Sequence, residues 1–408
     1  MTHVRTANLE LVQKINRSIV LNVIRDRGPL SRADISRRSK LTRSTVSSIV
    51  SYLAKKNLVK ESGLSSSGVG RRGILLELNP KAYYVVGIDL GTLNTIAAVV
   101  DLEGKIVERV EHPTNGEKNR DDVIERVKTA IHEVISASNV NLQKIAGIGL
   151  AVPGLVDSKR GTMLITPNFG WKDTPLKEIL EEEFHTPIFI DNNVNAMALS
   201  EAEFGIGRGV KNFICVNVGM GIGSGVIING EIYRGETECT GEIGHTTVDY
   251  NSPKCSCGNN GCLEIMAAGP AIARRAVKAI REGRKTVITE LVKDNLNRIT
   301  AAIVAQAANQ GDKLAREVME KTGGYLGTGV ANIINLFNPQ MVVIGGGVSE
   351  AGDLILDPLK KTMKKRAFPV PAKAVKIVTP SLGRDCTVIG AATLVLKDIF
   401  KSPKVISS

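Results

Sequence analysis

The sequence predicts an α/β chain in two parts, a small basic winged helix-turn-helix head over residues 1–80 and a larger two-lobed body behind it. Three observations carry this. Apolar residues recur at helical spacing in three short runs before residue 55, then give way to a glycine- and serine-rich loop between two apolar strands. Residues 1–80 hold fifteen Lys or Arg against five Asp or Glu, so most of the formal charge of +12 sits in the first fifth of the chain. Beyond residue 80, three apolar strands each run into a glycine-rich corner.

In the head, Leu9, Val12, Ile15, Ile19 and Val23 predict a first amphipathic helix that stops at Arg27-Gly28-Pro29, since glycine followed by proline cannot continue it. Ser31, with Asp34 three positions later, reads as an N-cap opening a second helix to about Ser39. After a turn at residues 40–42, Val46, Ile49, Val50 and Leu53 form the apolar face of a third helix. Its other faces carry Arg43, Ser44, Thr45, Ser47, Ser48 and Tyr52. Hydroxyls and a guanidinium on the second helix of a helix-turn-helix can reach base edges in a major groove, which makes Arg43, Ser44, Thr45, Ser47 and Ser48 candidate DNA contacts. Leu58-Val59 and Ile74–Leu78 predict strands on either side of the loop Ser62–Gly73, forming a wing. Arg71 and Arg72, at the end of that loop, are placed to enter a minor groove or grip phosphate. A basic module ahead of a nearly balanced body points to double-stranded DNA as a partner.

The body opens with Val85–Leu90, an apolar strand ending in Asp89-Leu-Gly91, and a second strand over Thr95–Asp101. In the sugar-kinase and actin superfamily such a corner holds a metal-nucleotide, with the Asp orienting the cation's waters. Val218-Gly-Met-Gly-Ile-Gly-Ser-Gly225 lies between two further strands, and Met341-Val-Val-Ile-Gly-Gly-Gly-Val348 ends a third just before a helix. Between these last two corners, His245, Cys255, Cys257 and Cys262 supply one imidazole and three thiolates with short Gly/Asn spacers. Four soft ligands with no open position suit structural zinc.

Composition excludes other classes. Hydrophobic residues are 43% and charged residues 23%, a globular balance, and no apolar run reaches the roughly eighteen residues a bilayer span requires. The first residues lack the apolar core and cleavage site of a secretory signal, and the crowded cysteines are not a disulfide framework, so the expected compartment is the cytoplasm, with no membrane partner.

Taken together, these residues resemble the ROK family, named for repressors, open reading frames and kinases. The resemblance spans nearly the whole chain, including the winged helix of the family's repressor branch. Its most specific part is the run from Gly244-His245 to Cys255-x-Cys257-Gly-x-x-Gly-Cys262-x-Glu264. The resemblance implies an actin-like body in which residues 81–195, with the C-terminal helix near 386–400, form one lobe, and 196–385 form the other with the zinc. It implies a sugar in the cleft, met by Asn168, Asn192, Asn193, Glu242, His245 and Glu264. His245 would serve zinc through one ring nitrogen and a sugar hydroxyl through the other. Residues 166–176 and 249–253 resemble the xylose-repressor branch, which points to a pentose, with glucose or an amino sugar as rivals.

Three departures from the family's kinases set the functional expectation. Asn193 stands where the kinases carry an Asp that accepts the sugar hydroxyl's proton, and an amide cannot be a general base. Thr92 and Leu93 replace the Gly-Thr of the first phosphate corner, and Met220 replaces a Thr at the second. No catalytic residue is therefore assigned. The expected protein is a sugar-responsive repressor of carbohydrate genes, a homodimer with a tetramer left open, in which binding survives and chemistry is lost. Two alternatives remain: an ATP-dependent sugar kinase with an accessory DNA-binding domain, and a repressor sensing a phosphosugar or a transport protein. Gly73 replaces the proline usual in related repressors, which predicts a less rigid exit from the wing.

Overall fold

The computed structural model of the chain describes residues 9–65, 72–114, 119–166 and 169–401. Its head contains helices α1 (Leu9–Arg27), α2 (Arg32–Ser39) and α3 (Arg43–Lys55), with a short strand β1 (Leu30–Ser31) pairing against a wing made of β2 (Val59–Leu64) and β3 (Ile74–Leu78). The second helix begins where the sequence places it. Ser31 Oγ accepts from Asp34 N at 3.2 Å, and Asp34 Oδ2 accepts from Ser31 N at 3.3 Å, a reciprocal capping box. The hydroxyl also donates to Asp34, which holds that carboxyl below its usual range. Ser31→Ala is expected to cost about 1 kcal/mol, read as a lower denaturant midpoint for the head at unchanged slope.

Two expectations for the head are corrected. Leu9, Val12, Ile15 and Ile19 do not form the buried face of α1: they are 38% to 75% exposed, and Val20, Leu21 and Ile24 are buried instead. The buried apolar side chains of α1 begin at Val20 and join the core formed with Ile35, Val46, Val50 and Leu53, while before that turn Arg17 lies over the Tyr52 ring of α3 at 3.8 Å. Ser62-Gly63-Leu64 belongs to strand β2 rather than to the loop, with a bulge between Glu61 and Gly63. The exit of the wing is also tied: Gly73 N donates to Ser65 Oγ at 3.1 Å, and Ser65 N donates to Gly73 O at 2.9 Å. A proline at 73 would forfeit the first of these bonds. Arg71, at the loop's end, lies outside the described residues.

In the body, β4 (Tyr84–Leu90), β5 (Asn94–Asp101), β6 (Ile106–Pro113) and β7 (Ile145–Val152) belong to one five-stranded sheet. A small antiparallel sheet of β8 (Leu155–Asp157), β9 (Thr162–Thr166) and β10 (Trp171–Thr174) follows, and β11 (Ile188–Asn192) returns to the first sheet. The second large sheet holds β12 (Phe213–Val218), β13 (Ile222–Ile228), β14 (Glu231–Ile232), β15 (Met341–Gly345) and β16 (Lys376–Val378). The orders β6-β5-β4-β7-β11 and β14-β13-β12-β15-β16 are the same path walked twice, an antiparallel three-strand meander followed by two parallel strands. This duplication defines two lobes and sets their glycine corners face to face.

Helices α4 (Arg120–Ser138) and α5 (Leu176–Phe184) cover the first lobe. Helix α6 (Asn193–Glu203) leads into the second, which is covered by α7 (Leu263–Ala267), α8 (Gly269–Arg281), α9 (Ile288–Leu291), α10 (Ala301–Asn309), α11 (Lys313–Phe337), α12 (Asp353–Arg366) and α13 (Pro369–Ala374). The chain then returns through α14 (Cys386–Lys401), which packs on β4, β7 and α6. Two glycines permit that return: a Cβ at Gly149 would lie 1.8 Å from Ala391 O, and one at Gly390 would lie 1.9 Å from Ala196 O. The buried Glu201 carboxylate fastens α6 to the turn before α14, accepting from Ser381 Oγ at 2.9 Å and Leu382 N at 3.1 Å. At the far end of α14, Phe400 O accepts from Ser18 Oγ at 2.6 Å and Asn22 Nδ2 at 3.1 Å, and Arg25 lies over the Phe400 ring at 4.4 Å. The head is thereby docked on the helix that also touches α6. Among the described residues, no helix is long and apolar enough to cross a membrane.

Candidate functional site

Between the lobes lies a cleft of about 1240 Å³, lined by all three glycine corners. From the first come Asp89, Thr92 and Leu93, from the second Gly219, Met220 and Gly221, and from the third Gly345, Gly346 and Gly347. Burial pushes the Asp89 carboxyl up to about 7, because an anion there loses its water. Gly223 also lines the cleft, whereas Gly225 does not. Both lie in β13, and a Cβ at 225 would meet Val194 O at 2.5 Å, so this glycine lets α6 approach the sheet. The exposed Leu93 and Met220 side chains occupy corners where a phosphate cradle would need backbone or hydroxyl groups.

Of the six residues expected to meet a sugar, Asn192, Asn193, Glu242, His245 and Glu264 all line this cleft, and Asn168 lies outside the described residues. Their present partners differ. Asn192 caps α6, with Oδ1 accepting from Val194 N at 2.8 Å while Nδ2 donates to Gly154 O at 2.8 Å, so its amide is already engaged on both sides. Asn193, the first residue of that helix, has no side-chain hydrogen bond among the described residues. Glu264 Oε2 accepts from Ile222 N at 3.0 Å. Burial raises the Glu242 carboxyl above its ordinary range; nearby Glu264 pushes the same way and His245 opposes both. The Trp171 ring, stacked on Phe169 with centroids 4.9 Å apart, supplies an apolar wall, and exposed Lys172 stands beside it. Trp171 is the chain's one tryptophan, and its place in the 166–176 segment is the sequence's only pointer toward the cleft.

Beside the cleft, His245, Cys255, Cys257 and Cys262 bring their ligand atoms within 4.8 Å of one another. Cys255 Sγ lies 3.8 Å from His245 Nδ1, and Cys257 Sγ lies 3.6 Å from Cys262 Sγ. Tetrahedral zinc with bonds of about 2.3 Å requires sulfur–sulfur edges of about 3.8 Å, so the spacing fits. Burial and the neighbouring thiols push Cys262 up to about 12, so holding all three sulfurs as thiolates calls for a cation among them. His245 Nδ1 faces the sulfurs, while Nε2 faces Glu242 Oε2 at 3.9 Å, on the cleft side. The set is a candidate metal site that orients a cleft residue.

In the head, Arg43, Ser44, Ser47 and Ser48 are exposed on α3 and Thr45 is half-buried. Thr42 Oγ1, which caps α3, also lies 2.9 Å from both the Ser44 and Thr45 hydroxyls, leaving Arg43, Ser47 and Ser48 as the unengaged part of that face. Arg72 is exposed where the wing's loop enters β3, beyond the Ser65–Gly73 pair.

Comparison with known proteins agrees with this geometry. A ROK family profile matches residues 85–398, and a MarR family profile matches residues 14–72. The xylose repressor of Bacillus spizizenii (strain ATCC 23059 / NRRL B-14472 / W23) is 35% identical, covering 97% of this chain and 99% of its own. A glucokinase of Halalkalibacterium halodurans is 36% identical but covers only 76% of this chain and 94% of its own, a length that leaves no room for the head. The crystal structure of a ROK family transcriptional regulator, a homolog of the E. coli MLC protein, superposes with a TM-score of 0.83 at 27% identity, covering 96% of this chain and 97% of its own. The body's duplicated sheets are the sugar-kinase-like, actin-like fold, the head is a winged helix-turn-helix, and the chain belongs to the ROK family.

Proposed function

We propose that this protein is a sugar-responsive transcriptional repressor of carbohydrate genes that works in the cytoplasm without kinase activity. The observation that carries the proposal is the pairing of a basic winged-helix head with a cleft that keeps polar groups for a sugar and lacks the groups that would phosphorylate it. Asn193 can donate to and accept from a sugar hydroxyl but cannot remove its proton. Leu93 and Met220 crowd the phosphate corners. Full-length similarity to a relative named xylose repressor supports the same reading and favours a pentose.

In this account Asn193, Glu242, His245 and Glu264 bind the sugar together with Asn168, while Asn192 shapes the turn that carries Asn193. His245 and the three cysteines would hold zinc, which would fix the imidazole, while Nδ1 faces the sulfurs and Nε2 faces Glu242 on the cleft side. Closure of the lobes moves α6 against α14, and α14 carries the movement to the Ser18 and Asn22 contacts of the head. Two heads of a homodimer then lose their match to the spacing of a two-fold operator. Arg43, Ser47 and Ser48 read bases, and Arg71 and Arg72 hold the backbone.

The sole tryptophan gives a direct assay. Titration with xylose, glucose and N-acetylglucosamine is expected to change Trp171 emission saturably for one of them, with no ATP turnover in its presence. Saturable turnover would instead assign the cleft to a kinase.

A further inference from the structure

Residues 233–241 leave the second lobe and return to it. Tyr233 N donates to Val226 O at 2.7 Å, and Ser224 N donates to Gly241 O at 2.8 Å, so both ends of this strap are pinned to β13. Its middle touches the first lobe twice. Glu238 Oε2 accepts from Ser158 N at 2.9 Å and Ser158 Oγ at 2.6 Å, while Glu238 Oε1 pairs with Lys159 Nζ at 2.9 Å. The Glu238 side chain is only 9% exposed, so its charge-assisted bonds to Ser158 are screened little by water, whereas the Lys159 end of the ion pair is 83% exposed and adds little. Arg234 reaches Asp191, whose other oxygen accepts from Asn192 N at 2.7 Å and Asn195 Nδ2 at 2.9 Å. Asp191 therefore links the strap to the turn carrying Asn192 and Asn193. At its other end the strap continues directly into Glu242 of the cleft.

We propose that residues 233–241 form an interlobe clasp, in which Glu238 and Arg234 grip Ser158, Lys159 and Asp191 and favour the lobe arrangement that binds a ligand in the cleft. Arg234 and Glu238 are positioning residues. Neither lines the cleft, but together they tie the turn bearing Asn193 to the segment bearing Glu242 across the gap between lobes. If the clasp holds the competent arrangement, weakening it lowers the competent population and reduces apparent ligand affinity by the same factor. That second consequence rests on the cleft being a sugar site; the clasp itself does not.

The full-length protein tests both parts. Lys159 and Arg160 lie exposed in a turn that offers trypsin two basic sites, and Glu238 pins that turn through Ser158 and Lys159. Glu238→Ala is expected to speed cleavage there by roughly tenfold, and Ser158→Ala to give a smaller increase. Glu238→Gln, whose amide oxygen still accepts from Ser158, is expected to retain most of the protection, a rescue that a general packing role for Glu238 would not predict. Where a sugar changes Trp171 emission, Glu238→Ala should weaken its binding by a similar factor. Unchanged cleavage in Glu238→Ala and Ser158→Ala would overturn the clasp whatever the sugar result. Faster cleavage with unchanged sugar affinity would overturn its coupling to the cleft. A wild-type protein that answers no sugar would count against the sugar-site reading, and cleavage would still decide the clasp.

Discussion

Replacing Cys262 by serine is expected to abolish stoichiometric zinc retention and with it any sugar response, while DNA binding persists. Cys262 is fully buried, and its sulfur sits 3.6 Å from Cys257 Sγ and 3.4 Å from His245 O. Loss of one of four ligands removes much of a binding free energy that reaches about 10–16 kcal/mol in small zinc modules. In a lobe with its own large core, that loss is expected to loosen the segment from Glu242 to Glu264 locally rather than unfold the protein. Since both Glu242 and His245 lie on that segment, Trp171 emission should no longer respond to sugar. The head shares no residue with the segment and should still bind operator. Metal analysis of the purified variant, with anisotropy on a labelled duplex, checks both halves. Cys239→Ser serves as the control and is expected to keep its metal, because Cys239 is not one of the four ligands.

The second large effect concerns DNA. Arg43→Ala is expected to weaken binding to the cognate duplex by roughly 5- to 150-fold, the 1–3 kcal/mol of a base-reading contact. Binding to an unrelated duplex should change far less, and the sugar's effect on Trp171 should stay intact. A loss of equal size on both duplexes would make Arg43 a phosphate contact, and the dependence on salt would then flatten by about one unit of slope. Ser47 and Ser48, exposed one turn further along α3, would then be the base-reading residues.

Much of this was legible in the sequence because the signals are local. The Ser31–Asp34 cap spans four residues, the metal set eighteen, and each glycine corner is a single strand end. Patterns of short range survive without knowledge of the fold. What stayed hidden depends on contacts that no spacing announces. The stripe from Leu9 to Ile19 has the period of a buried face, yet the rest of the head is too short to cover it. Gly225 looks like a phosphate glycine until β13 is seen against α6. Asn192 reads as a ligand residue by type and does line the cleft, but no spacing announces that the same amide also caps α6 and bonds to Gly154. Arg234 and Asp191 are 43 residues apart, and Glu238 and Ser158 are 80 apart, so the clasp appears only when the two lobes are placed together.

The most direct test of the central claim is anisotropy of a duplex from upstream of the protein's own gene, titrated with the full-length protein at fixed salt, alone and with xylose, glucose or N-acetylglucosamine. Tight binding that one sugar releases, and that weakens steeply as salt rises, is the predicted result. Binding that no sugar alters, or no binding at all beside active phosphorylation of a sugar by ATP, would contradict it.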